Sequence, residues 1–249
     1  MKRLYLLLLL MLVIFTGLKA QDNIQQASDA YSKGEFDRAA EYFQQVLQEQ
    51  GESADIYYNI GNCYYKLNQI APAILNYERA LLLDPGNGDI RFNLEIARLK
   101  TVNKIDSVGN FFLQNWINSF RDLLGTNTWS KIAIFCFISL IACLILFFFS
   151  RKILFKKVGF YAGIVLVVFT ITANLFAFQQ KKELEQRDTA IVFAPTVTIK
   201  SSPDNSGTDL FVLHEGTKVQ IKSQLGDWFE IIIADGNIGW IPKKDIEII

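Results

Sequence analysis

The chain has 249 residues, of which 51% are hydrophobic and 20% charged, and its formal net charge is zero. Residues 21–101 hold twelve Asp and Glu against seven Lys and Arg, and residues 189–249 hold eight against five. Both segments are therefore mildly acidic and lack the positive stripe that phosphates require, which excludes nucleic acid as the expected partner. The three cysteines, Cys63, Cys136 and Cys143, predict no disulfide framework, because the last two lie inside an apolar block.

The first apolar block covers residues 4–15 and follows Lys2 and Arg3. It ends near Ala20, a small residue suited to a cleavage point, although Leu18 is larger than usual at its position. We predict a secretory signal peptide at residues 1–20, with an uncleaved anchor as the alternative. In either case the segment that follows is exported.

Residues 21–101 contain an internal repeat, since Ala39 and Ala73 occupy equivalent places 34 residues apart. The second copy resembles the tetratricopeptide family at its diagnostic positions: Tyr57, Ile60, Gly61, Tyr64, Ala73, Tyr77, Ala80 and Pro85. A third copy starts at Asp89 and stops after one helix, so we predict two repeats and a capping helix. In such a stack the small Gly61 lies where the two helices of one repeat touch.

The resemblance to tetratricopeptide repeats implies a concave groove lined by the first helix of each repeat. By the repeat alignment, the partner-binding residues predicted for this groove are Tyr31, Tyr58, Asn62, Tyr65 and Phe92. Aromatic side chains bury a large area with few rotors, which suits them to anchor a peptide. Packing between repeats is the alternative for Tyr65 and Phe92.

Residues 102–128 form a predicted linker in which Phe112, Trp116 and Phe120 recur every fourth residue. This spacing predicts an amphipathic helix on the outer membrane surface. An extra helix packed on the repeats is the alternative.

Two further apolar blocks predict transmembrane helices at residues 129–150 and 158–178, each long enough to cross a bilayer of about 30 Å. The loop between them, residues 151–157, carries four Lys and Arg and no acid. Short positive loops stay in the cytoplasm, so both outer ends of this hairpin are predicted to face away from it. The signal peptide predicts the same orientation.

After a polar connector at residues 179–188, alternating apolar residues and turn-rich stretches predict a small β-barrel at residues 189–249. The order of its motifs, with Gly226-Asp227-Trp228 followed by Gly239-Trp240-Ile241, is similar to the bacterial SH3-like family. Domains of that family bind peptides or cell-wall fragments, which makes Trp228 a candidate partner-binding residue. The alternative is that Trp228 and Trp240 are core side chains of the barrel and bind no partner.

No motif of a catalytic, metal or cofactor site occurs, and the single histidine, His214, precedes a turn without candidate partners. We therefore predict a non-enzymatic protein with no cofactor and no metal. The fold class is a multidomain membrane protein: helical tetratricopeptide repeats, two transmembrane helices and a C-terminal all-β SH3-like barrel.

The full order of segments resembles the BatE-type proteins of bacterial aerotolerance operons. This resemblance implies a scaffold in the cytoplasmic (inner) membrane, with both soluble domains on the periplasmic side and other envelope proteins as partners. Binding or sensing of cell-wall peptidoglycan through the SH3-like domain is the alternative function.

Overall fold

The computed structural model describes residues 23–103 and 112–249. The predicted signal peptide lies outside the described residues. The chain divides into two compact units. The described part of the first comprises residues 23–83, 87–103 and 187–249, and that of the second comprises residues 84–86 and 112–186.

The first unit begins with a repeat module, residues 23–83 and 87–103, built from five helices. They are α1 (23–32), α2 (Phe36–Gln50), α3 (Ala54–Lys66), α4 (Ile70–Leu83) and α5 (Gly88–Arg98). Asn87 caps α5, because its side chain accepts from the backbone N–H groups of Asp89 and Ile90. The helical, repeat-type architecture predicted for the N-terminal part is confirmed.

The helices α3 and α4 pack closely because a glycine meets a tyrosine at their contact. A Cβ atom on Gly61 would lie only 2.6 Å from two ring carbons of Tyr77. Tyr77 itself is 1% exposed, and Ala73 on the same helix is fully buried. A larger side chain at position 61 therefore has no room unless the helices separate.

The first unit also holds a barrel module, residues 189–249, whose seven strands form one antiparallel sheet in the order β3-β2-β6-β5-β4-β1-β7. The strands are β1 (Thr189–Val192), β2 (Thr196–Lys200), β3 (Asp209–His214), β4 (Lys218–Leu225), β5 (Trp228–Ile232), β6 (Ile238–Pro242) and β7 (Ile246–Ile248). Inward residues of all seven strands form one core, which includes the fully buried Ile199, Leu213 and Ile241. The all-β class predicted for this segment is confirmed.

The two modules of this unit share a hydrophobic core. Strand β1 turns Ala190 and Val192 into the barrel core, whereas Ile191 packs with buried residues of α4 and α5. Ile249 joins the same cluster at 2% exposure. Because both faces of β1 are buried, the barrel module is part of one folded body with the repeats.

The second unit contains α6 (Phe112–Arg121) and two long apolar helices, α7 (Thr126–Phe149) and α8 (Ile153–Gln186). Both long helices have the length and composition to cross a membrane. Where they pack, a Cβ atom on Gly159 would lie 2.8 Å from the carbonyl oxygen of Cys143. The glycine thus serves packing within the hairpin.

A polar network joins α6 to the two long helices at one end of the hairpin. The Gln180 side chain, 4% exposed, donates to the carbonyl oxygens of Arg121 and Leu124 at 3.1 and 2.9 Å. The Trp129 indole donates to the Arg121 carbonyl at 2.8 Å, and its ring lies 5.1 Å from that of Phe176. Carbonyls at the end of α6 therefore find donors within this unit.

Two predicted boundaries of the hairpin differ from the structure. Helix α8 already starts at Ile153, so the non-helical part of the predicted loop is shorter than residues 151–157. The same helix continues to Gln186, through most of the segment predicted as a connector at 179–188. No Gly or Pro interrupts residues 179–186, and an ion pair of Lys181 with Glu185 supports that turn.

Candidate functional site

Four polar side chains from α3, α4 and α5 form one hydrogen-bonded network in the repeat module. The Asn93 amide donates to the Tyr58 hydroxyl and to Oδ1 of Asn62, both at 2.9 Å. The Tyr77 hydroxyl donates to the same Oδ1 at 2.8 Å. Burial raises the pKa of the Tyr77 phenol, which keeps it protonated as a donor.

This network presents both a donor and an acceptor to a ligand. Its bonds use Oδ1 of Asn62 and Nδ2 of Asn93, and they leave Nδ2 of Asn62 and Oδ1 of Asn93 for other partners. A peptide backbone offers the matching acceptor and donor. Tyr58 is half-buried, with its ring 6.0 Å from that of Tyr77, so its position is fixed by packing.

The other predicted groove residues occupy different surroundings. Tyr31 packs edge-on against Phe36 at 5.2 Å, and burial raises the pKa of its phenol. Tyr65 is half-buried beneath the Lys100 ammonium, which lies 4.1 Å from its ring centroid. Phe92 is 65% exposed.

Sequence reasoning missed two contributors to this site, Asn93 and Lys100. The repeat alignment gave Phe92 as the groove residue of α5, whereas the residue of α5 that bonds Tyr58 is its neighbour, Asn93. A signal was present, because Asn59 and Asn93 are 34 residues apart and thus repeat at the period of the stack. We define the groove as Tyr58, Asn62, Tyr65, Asn93 and Lys100.

The tryptophans of the barrel module lie on its outward face. Phe229, Ile231 and Ile241 point into the core, so by alternation Trp228 and Trp240 point away from it. Both are half-buried. Neither tryptophan belongs to the barrel core, and the binding role predicted for Trp228 stays a prediction.

A cavity of about 450 Å³ opens between the two modules of the first unit. Four side-chain amides, a guanidinium and a carboxylate give it a polar wall. Its lining is Gln44, Leu47, Gln48, Tyr57, Ile60, Tyr64, Gln69, Pro72, Leu75, Asn76, Arg79, Phe193 and Glu247. Glu247 of β7 and Phe193, the residue after β1, line it together with residues of the repeat module, so neither module forms this cavity alone.

A buried carboxylate joins the modules beside the shared core. Glu78 on α4 is 6% exposed, and it pairs with Arg98 on α5 and with Lys218 on β4, whose ammonium lies 2.7 Å away. Burial alone would raise the pKa of Glu78, but the two cations outweigh it and hold the pKa below its ordinary value. The Glu78 carboxylate is therefore charged at neutral pH. Removing Arg98 or Lys218 would leave part of this buried charge uncompensated, which destabilises a folded protein.

The described residues offer little for covalent or metal chemistry. Burial raises the pKa of the Cys63 thiol to about 12, so it remains an unreactive core side chain. Within residues 23–103 and 112–249, no three His, Cys, Asp or Glu side chains are grouped as a metal site would need. His214 Nδ1 and its backbone N–H both face Oδ1 of Asn103, at 2.9 and 2.8 Å.

Two segments match known protein families. Residues 54–87 match the tetratricopeptide repeat, and residues 195–247 match the bacterial SH3 domain. A comparison with curated proteins found no match.

Some solved structures show a weak similarity. A T3SS complex from Aeromonas hydrophila is 16% identical over 66% of this chain and 89% of that one, with a TM-score of 0.33. The Sgt2 TPR domain from Aspergillus fumigatus is 13% identical over 68% of this chain and 80% of that one, with a TM-score of 0.31. Similarity at this level does not establish a shared overall fold.

The fold and the two family matches define the class of this protein. It is a multidomain chain that combines a tetratricopeptide-type helical module, two candidate membrane helices and a bacterial SH3-type module. Modules of these two families in general bind proteins, and repeat stacks do so on extended concave surfaces.

Proposed function

We propose that this chain is a membrane-anchored, non-enzymatic scaffold that captures an extended segment of another envelope protein in the groove of its repeat module. The observation that carries the proposal is the network of Tyr58, Asn62 and Asn93. These side chains come from α3 and α5, Tyr77 of α4 donates to Asn62 as well, and the remaining amide groups suit a peptide backbone.

The groove also has a charge and an aromatic wall. Lys100 places its ammonium beside Tyr65, so an acidic side chain of the partner would meet a cation at this end. Tyr58 and Tyr65 supply large rigid surfaces, and a single such anchor contributes about 2 kcal/mol or more in protein interfaces. We therefore propose a peptide with an apolar anchor and an adjacent acidic group.

The double variant Tyr58→Ala with Asn62→Ala tests the proposed groove. We expect it to abolish co-purification of envelope proteins from solubilised membranes, because it removes the main anchor and the centre of the network. The double variant Tyr42→Ala with Gln48→Ala is the matched control, since it removes a tyrosine and an amide from α2, outside the network. Equal recovery with both double variants would contradict the proposal.

The exposed apolar surface of the second unit supports a membrane location. Only 11% and 17% of the most apolar windows of α7 and α8 are buried, whereas the core helix of a water-soluble domain is mostly buried. On α6, Leu113, Trp116 and Phe120 are exposed as well. A bilayer would cover these surfaces, with α6 lying in the interfacial layer.

Accessible cysteines test the proposed sidedness, which rests on the positive segment between the helices and on the N-terminal signal. Cysteines introduced at Asn87 and Asn205 are expected to react with an impermeant thiol reagent in cells with a permeabilised outer membrane. A cysteine at Phe155 is expected to react only after the inner membrane is opened. The reverse pattern would overturn the orientation.

The physiological setting that we propose is an envelope complex linked to aerotolerance or stress. It is supported by the resemblance of the segment order to BatE-type proteins.

Peptidoglycan binding through the barrel module is the second candidate function. The outward position of Trp228 and the bacterial SH3 match favour it. Retention on isolated peptidoglycan that disappears in Trp228→Ala, with the groove intact, would make the barrel the recognition site.

A further inference from the structure

The groove and the barrel module meet on the same helix, α5. Asn93 and Lys100, at the middle and just beyond the end of α5, belong to the groove. Arg98, near the end of the same helix, reaches Glu78, which Lys218 of the barrel module also contacts. A displacement of the barrel module would therefore act on the helix that, with the residues just after it, supplies Asn93 and Lys100 to the groove.

The residues that follow α5 are also held by the barrel module, at the turn between β3 and β4 (residues 214–217, hereafter the β3–β4 turn). Oδ1 of Asn103 accepts from the backbone N–H of His214 at 2.8 Å. It also shares, at 3.3 Å, the proton of the Thr217 hydroxyl, which donates at 2.7 Å to the His214 carbonyl. These bonds fix the end of the repeat module to the turn.

The shape of the β3–β4 turn is fitted to this contact. Gly216 has a φ of +81°, a conformation that favours glycine. A Cβ atom there would lie 2.7 Å from the Thr101 side chain and 3.1 Å from that of Ile74. The turn is thus in direct contact with α4 and with the segment that follows α5, and close packing resists a displacement of any one of them.

We propose that the barrel module regulates the groove: Lys218 and the β3–β4 turn are positioning elements that hold α5 where Asn93 reaches Tyr58 and Asn62. The inference rests on the proposed function of the groove. A ligand or partner that pulls the barrel from α4 and α5 weakens peptide capture. By thermodynamic linkage, a peptide bound in the groove stabilises barrel docking by the same free energy.

The side-chain amides of the groove report on this coupling without any partner. In the full chain, labelled with ¹⁵N-asparagine in detergent micelles, we expect Lys218→Met to shift the side-chain resonances of Asn93 and Asn62. Lys222→Met, which removes an exposed lysine from the same strand, is expected to leave them in place. Lys218→Arg keeps the charge beside Glu78 and is expected to restore the wild-type positions.

Asn103→Ala is a second variant that acts through the β3–β4 turn, and it decides the question if Lys218→Met does not fold. If Lys218→Met folds and its Asn93 and Asn62 resonances do not shift, the proposed coupling is wrong. If Lys218→Met does not fold, unshifted resonances in Asn103→Ala have the same meaning. Recovery of envelope partners is measured in parallel. If wild-type protein recovers none while the resonances shift as expected, the proposed function fails and the coupling stands.

Discussion

Replacing Gly61 by valine is expected to lower the melting temperature of the first unit by between about 2 and about 12 °C. The facing ring of Tyr77 lies 2.6 Å from the place of the new Cβ atom, and Tyr77 is itself fully packed. Overpacking of this kind costs about 1–3 kcal/mol, and each kcal/mol moves the transition of a unit of this size by about 2–4 °C. The measurement is the loss of helical circular dichroism on heating.

Gly88→Val is the matched control for this substitution. Gly88 starts α5, and a Cβ atom there would have no heavy atom within 4 Å. The melting temperature of the Gly88→Val protein is expected to stay close to that of the wild type. If Gly61→Val melts like the control, the close packing of α3 on α4 is wrong.

The Gly61 substitution also bears on the groove. Tyr77 donates to Oδ1 of Asn62, so a ring displaced by valine would carry its hydroxyl away from the network. Core packing and the peptide site are thus coupled through one tyrosine. Partner recovery should therefore fall with Gly61→Val even at temperatures where the helices persist.

The second large effect is expected from Ile191→Asp, which places a carboxylate in the core shared by the two modules. Ile191 is fully buried against α4 and α5, while its neighbours Ala190 and Val192 fill the barrel core. Burying an unpaired charge is among the few single changes that cost about 4 kcal/mol or more. We expect the modules to separate, with faster hydrogen exchange in α4 and α5 measured by mass spectrometry.

Ile238→Asp controls for the introduced charge, because Ile238 is 43% exposed on β6 of the same module. Exchange in α4 and α5 is expected to be unchanged by it. Slow exchange in both helices despite Ile191→Asp would mean that the barrel does not dock on the repeats.

Docking changes how a barrel deletion would be interpreted. If the two modules were independent, loss of function on deleting residues 189–249 would point to the barrel as the recognition site. In this structure the deletion also uncovers Ile74 and Leu75 on α4, which belong to the shared core. Point variants such as Lys218→Met therefore separate the roles of the modules where a deletion does not.

The sequence by itself predicted the architecture of the chain, because each of its signals is local. The repeat period indicates which residues of α3 and α4 touch, so Gly61 and Ala73 were predicted at their contact, with Tyr77 in the adjoining space; that the Tyr77 ring itself faces Gly61 was seen only in the structure. Alternation predicted the strands, and two long apolar blocks predicted two long helices. Polarity marked residues 179–188 as a connector but did not show that most of it is helical, and α8 continues to Gln186 because polarity alone does not end a helix that lacks a breaker.

Only the tertiary structure decided which residues from distant segments meet. Glu78 and Lys218 are 140 positions apart, and neither has a local pattern that marks it as a partner of the other. Asn93 joins Tyr58 and Asn62 because α5 packs on the repeats with this side chain facing them, whereas its neighbour Phe92 is 65% exposed and its predicted binding role stays a prediction. Periodicity determines the faces of each element, whereas docking depends on the summed shape and charge of two folded surfaces.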